Sequence, residues 1–333
     1  MNTNIVNLPF VSLCTPTYNR RPFIPFMIKC FEHQDYPKDR IEWIIIDDGS
    51  DPIEDLVKHI PQVKYFYYNE RMLLGKKRNL MHSKCLGDII VYMDDDDYYP
   101  PQRISHAVEM LQNNPSFLIA GCSEMHIYFD SKKALFQCGP YGKYHSTAAT
   151  FAFKKQLLRQ TTYDEENGFS EEKKFTKNYT IPLIQLDPLK SILVCSHSHN
   201  SLNKEKLLVN PEQTLTKLSP YCVDDFIKDP VLKQFYIHDM NNLLVHYSEG
   251  DPNLKTELIK QIKEVEASRQ KRIEDQKMLM SLIKISNNVD SSQELKQIKD
   301  NYEKQLADKN ILINQLLMRV KELTKLVNEL SGK

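Results

Sequence analysis

The chain has 333 residues, 41% of them hydrophobic, which allows one large or two modest domains with a substantial core. Its 44 Lys and Arg residues balance its 44 Asp and Glu residues, and that zero net charge argues against a general nucleic-acid binder while leaving room for a local basic pocket. Seven cysteines, odd in number and without a Cys-x-x-Cys spacing, point to reduced thiols in a cytoplasmic protein; the start lacks signal-peptide character, and no run of about 18 apolar residues offers a membrane span.

Apolar runs predict strands over residues 10–14, 41–46, 63–67 and 88–93. Helical patterns lie between them, over residues 22–33, 51–59 and 75–86. This alternation predicts a mainly parallel sheet with helices on both faces, whose ligands bind at the carboxyl ends of the strands. A helix is predicted over residues 100–113, two strands within 117–138, a small-residue strand over 145–153, and a strand from Ile192 that ends in the polar loop Ser196–Asn200.

Three strand ends carry polar clusters: Thr15-Pro16-Thr17-Tyr18-Asn19-Arg20, Asp47-Asp48-Gly49-Ser50 and Asp94-Asp95-Asp96-Asp97. Parallel strands would set all three along one edge. Tyr18 is suited to stacking on a nucleobase, and Asp47 to accepting the N3–H of uracil. Gly49 permits a tight turn. The four consecutive carboxylates repel one another unless a cation shares their site, and hard oxygen ligands suit Mg²⁺ or Mn²⁺ bridging to a substrate phosphate. Taken alone, each cluster is also compatible with a solvated turn or a helix cap.

Together with Gly75-Lys76-Lys77-Arg78-Asn79 and Gly87-Asp88-Ile89-Ile90, these motifs resemble a family 2 glycosyltransferase of the GT-A fold, in matching order from about residue 9 to residue 97. A weaker similarity continues to about residue 207. Glycosyltransferases of large DNA viruses and some bacteria look similar between Gln185 and His197. The resemblance implies a Rossmann-like mixed sheet and a metal-dependent inverting transfer of a sugar from a nucleotide-sugar, with UDP as the default nucleotide, onto an acceptor hydroxyl. It places Pro16 and Tyr18 around the uracil and makes Asp47 the base-recognising carboxylate. Arg78 faces the nucleotide side of the pocket. Asp94 and Asp96 become the two ends of a DxD motif, with Asp94 and Asp95 on the donor side, Asp96 on the metal and Asp97 orienting the sugar.

The family also needs a general base, which it usually supplies from an acidic pair before a short helix bearing an aromatic. Glu171-Glu172, followed by Phe175, fits that pattern, with Glu172 preferred and Asp164 in reserve. A late histidine often completes the metal site, and His197, or else His199, is placed to do so. The Gln-x-x-Arg-Trp motif and membrane helices of processive synthases are missing, so a single-addition enzyme is expected. Two rivals stay open: a catalytically silent nucleotide-binding scaffold and a nucleotidyltransferase.

The resemblance stops short of the tail. The sequence divides into a catalytic domain (1–250), a charged helix (251–285), a linker (286–294) and a coiled coil (295–333). In the last, Lys299, Leu306, Ile313, Val320 and Val327 take a positions; Leu295, Tyr302, Lys309, Leu316, Leu323 and Leu330 take d positions. β-Branched residues at a with Leu at d favour a parallel homodimer. A higher order, an antiparallel hairpin or an amphipathic helix folded onto the catalytic domain also suits the stripe.

Overall fold

The computed structural model describes residues 8–166, 168–288 and 293–331. Two compact units emerge, residues 1–264 and residues 265–333.

The first unit is built on a seven-stranded sheet ordered β3-β2-β1-β4-β8-β5-β9. Its strands are β1 (Val11–Thr17), β2 (Ile41–Asp47), β3 (Val63–Tyr67), β4 (Ile89–Tyr92), β5 (Ile119–Gly121), β8 (Ala152–Lys154) and β9 (Leu183–Gln185). β3, β2, β1 and β4 run parallel, and β8 is antiparallel to both of its neighbours. Every residue of β2 is buried, as expected of a central parallel strand covered on both faces. The connecting helices are α1 (Ile24–Glu32), α2 (Glu54–Val57), α3 (Leu74–Lys84) and α4 (Arg103–Asn113).

A second sheet, ordered β10-β6-β7-β11, consists of β6 (Met125–Phe129), β7 (Ala134–Cys138), β10 (Leu193–Ser196) and β11 (Thr216–Leu218). A bridge between Tyr98 and Leu193 ties it to the end of the four-aspartate run. Short helices follow: α5 (Glu172–Phe175), α6 (Pro211–Thr214), α7 (Val223–Phe226), α8 (Pro230–Gln234) and α9 (Met240–Val245). Then come α10 (Thr256–Asn288) and α11 (Gln293–Ser331).

Several expectations need correction. The first strand runs on to Thr17, through Pro16. Cys14 accepts from Met93 N, so alternation points the nitrogen of Pro16 to the side where β4 has already ended, and its missing N–H breaks no ladder bond. Residues 117–138 contain three strands rather than two. The expected strand over 145–153 is a 3₁₀ turn (Ala148–Thr150) followed by β8. Here Thr150 Oγ1 donates to Thr147 O (2.8 Å) and accepts from Cys122 N (2.8 Å), so the side chain competes with strand pairing. Helix α10 continues through Ser286–Asn288, which the sequence placed in a linker; Val289–Ser292 lie outside the described residues.

In the second unit, the a and d side chains of Tyr302, Leu316, Val320, Leu323 and Val327 are exposed on α11. Those of Leu295, Leu306, Ile313 and Leu330 lie outside the described set. No helix among the described residues is long and apolar enough to cross a membrane.

Candidate active site

Register sets the site. Thr17 lies beside Asp47, and Cys14 beside Tyr92, so β1, β2 and β4 deliver their carboxyl ends to one edge. That edge holds a cavity of about 220 Å³. Pro16, Thr17 and Tyr18 from the end of β1 line it, with Lys77 and Arg78 from α3 and Asp94, Asp95 and Asp96 from the loop after β4. Pro16, Tyr18, Arg78, Asp94, Asp95 and Asp96, singled out from sequence, are therefore brought together.

Asp47 and Asp97 are not on the cavity wall. Asp47 is buried; Oδ1 accepts from Gly49 N (2.9 Å), and Oδ2 accepts from Ile53 N (3.1 Å) and from the Tyr65 hydroxyl (2.7 Å). Burial raises its pKa against the pull of those hydrogen bonds. Its carboxylate caps the turn after β2. Gly49 is needed in that turn because a Cβ would stand 2.7 Å from Asn19 N. Asp48 accepts from Met72 N and pairs with Lys77, and thereby fixes two parts of the cavity wall. Asp97 likewise serves the fold: Oδ1 accepts from Cys195 N (3.1 Å), and its carbonyl accepts from the Tyr236 hydroxyl (3.0 Å). Burial pushes it up to about 8.

The remaining aspartates face charge. Arg20, which sequence reasoning passed over although it closes the first motif, places Nε 3.5 Å from Asp95 and a terminal nitrogen 3.3 Å from Asp96. Burial pushes Asp95 up to about 7. Burial would raise Asp96 too, but Arg20 and His197 outweigh it and hold that carboxyl far below the usual range. Asp94 Oδ1 is buried without a hydrogen-bond partner among the described residues.

His197 meets Asp96 in an arrangement that bears on metal binding. The His197 N–H donates to Asn200 Oδ1 (2.9 Å), which turns the Asn200 amide nitrogen toward His197 Nε2 (2.7 Å). The same Nε2 lies 3.2 Å from Asp96 Oδ2, so the ring nitrogen stands between the amide and the carboxylate. Burial pushes the ring down to about 4, so it is neutral near pH 7. An imidazole nitrogen and a carboxylate oxygen side by side are donor types that a divalent cation accepts. No group of three or more His, Cys, Asp or Glu side chains among the described residues is placed to hold an ion. Carboxylate and imidazole are ligand types compatible with Mg²⁺ or Mn²⁺. His199 stands apart; its carbonyl accepts from Arg20 (3.1 Å).

The two glutamates diverge. Arg78, stacked 4.4 Å from the Tyr92 ring centroid, donates from Nε to Glu171 (3.1 Å) and extends toward Asp94 (3.8 Å). Glu172 accepts from the Tyr179 hydroxyl (3.0 Å). Burial, and after it the Glu171 charge, push Glu172 up to about 7. Neither glutamate lines the cavity itself; Arg78 connects Glu171 to it. Asp164 pairs with Lys174 at the surface (3.2 Å).

The family model described as "Glycosyl transferase family 2" matches residues 12–169. An uncharacterised glycosyltransferase of Haemophilus influenzae is 30% identical over 115 residues, 33% of this chain and 45% of that protein. A GalNAc(5)-diNAcBac-PP-undecaprenol β-1,3-glucosyltransferase of Campylobacter jejuni is 26% identical over 176 residues, 48% of this chain and 56% of the relative. The chain thus spans about half the length of these curated relatives. Among solved structures, a mannosyltransferase of Pyrobaculum calidifontis in complex with GDP-Man and Mn²⁺ is similar with a TM-score of 0.48 and 18% identity, over 78% of this chain and 76% of that one.

Proposed function

Residues 12–169 of this chain are a family 2 glycosyltransferase domain, and from that premise we propose that the protein moves a sugar from a UDP-linked donor to an acceptor hydroxyl, with inversion and with a divalent cation. The observation that carries the proposal is the meeting of Asp94 and Asp96 in a cavity rich in Arg and Lys at the carboxyl edge of the sheet, with His197, off the cavity wall, 3.2 Å from Asp96.

Tyr18 presents an aromatic face to the base, and the basic wall receives the diphosphate. Asp96 and His197 would hold the Mg²⁺ or Mn²⁺, which when bound neutralises charge growing on the leaving diphosphate. Arg78, fixed between Glu171 and Tyr92, serves the nucleotide side of the cavity. Glu172 takes the proton from the acceptor hydroxyl as its oxygen forms a bond to the anomeric carbon. The bond from that carbon to the phosphate oxygen breaks, and the electron pair leaves with the nucleoside diphosphate. A base with a pKa near 7 suits this step at neutral pH. The exposed a and d side chains of α11 support pairing with a second copy through residues 295–333.

Incubating the protein with a panel of nucleotide-sugars tests the reading through nucleoside diphosphate release. Release from one donor supports transfer. Pyrophosphate release from a nucleoside triphosphate would support a nucleotidyltransferase instead, and nucleotide binding without turnover would support a silent scaffold.

A further inference from the structure

One wall of the cavity comes from beyond the matched domain. Lys255 and Leu258, at the start of α10, line it together with the family residues, and both belong to the first compact unit. This segment is fastened at two places. Arg71 donates to the carbonyl of Leu254 (3.2 Å). Gln261 accepts from Gly168 N (2.9 Å) and donates to the carbonyl of Glu166 (2.8 Å). Gly168 has no side chain to hold Leu258 off: a Cβ there would stand 3.2 Å from Leu258 Cδ1.

Lys255 is only 9% exposed. Its ammonium donates to Ser201 Oγ (3.1 Å) and lies 5.6 Å from the Tyr18 ring centroid. The other buried cations of the cavity have carboxylate partners: Lys77 has Asp48, Arg78 has Glu171, and Arg20 has Asp95 and Asp96. Among the described residues, none gives Lys255 a carboxylate within ion-pair distance. Burying an ammonium without a counter-charge is costly, and burial accordingly pushes this one down to about 7. The same Tyr18 ring has the exposed Arg71 guanidinium 5.0 Å from its centroid, so two cations without carboxylate partners border the face assigned to the nucleotide.

We propose that Lys255 is a donor-binding residue, its ammonium contacting the diphosphate of the nucleotide, with α10 strapped across the pocket by Gln261 to deliver it. The inference rests on the transferase reading given above. It places the missing counter-charge on the ligand and gives the start of the tail helix a part in the active site.

Calorimetric titration of the full chain with UDP and with uridine, in EDTA and then in Mn²⁺, tests it. Lys255→Met keeps the apolar stem and removes the charge. Its UDP affinity should fall about tenfold or more in both conditions, as expected for losing one charge-assisted contact. Uridine affinity should not change, and the thermal midpoint of the unliganded variant should match or exceed that of the wild type, because an uncompensated charge has been removed. Lys255→Arg should recover most of the UDP affinity. Binding of UDP by Lys255→Met within about twofold of the wild type would overturn the inference while leaving the transferase reading intact. An equal loss for uridine would also overturn it, since Lys255 would then act by positioning Tyr18. A wild-type chain that binds no nucleoside diphosphate would overturn both.

Discussion

Two acidic strand ends lie on either side of β1 at the carboxyl edge of the sheet, and they have opposite fates. After β2, both oxygens of Asp47 are engaged by backbone N–H groups and Tyr65, while Asp48 is engaged by Met72 N and Lys77. After β4, Asp94 keeps an unsatisfied oxygen, and Asp96 faces Arg20 and His197. A carboxylate followed by a tight turn finds donors within a few residues and becomes part of the fold. A carboxylate in a run of four has too few local donors and stays open to a ligand. Asp97 shows the boundary, since it escapes the run by reaching Cys195 N on β10.

That contrast is broken most forcefully by Asp96→Ala, which should lower turnover by about 10³-fold or more, as for removal of a principal electrostatic stabiliser. Unfolding midpoints should fall slightly, because the fold favours the charged form of Asp96, while Arg20 keeps Asp95 as a partner. Full activity in that variant would remove the metal assignment. Glu172→Gln should cost about 10²- to 10⁴-fold in turnover while UDP affinity is preserved. If Glu171→Gln has that phenotype instead, the base lies one residue earlier.

The pH profile sharpens the assignment of the base. Glu172 is raised toward 7 by burial and by Glu171, with Arg78 and the Tyr179 hydroxyl opposing. A base must be unprotonated, so turnover should rise with pH through about 7 and level off above it. A profile flat from pH 5 to 8 would contradict the assignment. Asp47→Ala provides the opposite signature to Asp96→Ala: a loss of about 2–4 kcal/mol of stability from stranding three donors, seen in denaturant unfolding, with a smaller effect on turnover per folded molecule. The least effect on catalysis is expected from Leu316→Glu with Leu323→Glu, which should lower the oligomeric state in sedimentation and spare donor hydrolysis. An unchanged mass would mean that α11 does not associate through that stripe.

Sequence carried much of this far, for reasons that can be named. The strands from β1 to β4 are continuous apolar runs closed by polar clusters, and the local pattern suffices to find them. The second sheet joins β6 and β7 to β10 and β11 across long stretches of chain, and nothing local announces that pairing. The capping contacts of Asp47 were hidden for the same reason: its partners Ile53 and Tyr65 are set by the turn and by the register with β3. Arg20 was visible as a residue of the first motif, but its use depends on Asp95 and Asp96, more than seventy positions away. Lys255 gave no signal, since a lysine at the start of a charged helix is ordinarily solvated.

The difference between the closed and the open strand end is tested most directly by titrating Mn²⁺ into the protein with and without UDP. With Asp96 and His197 as its protein ligands, the ion should bind weakly alone and much more tightly once UDP is present. The gain should vanish in Asp96→Ala and persist in Asp47→Ala. Tight Mn²⁺ binding without nucleotide, or a UDP-dependent gain that survives Asp96→Ala, would contradict the account.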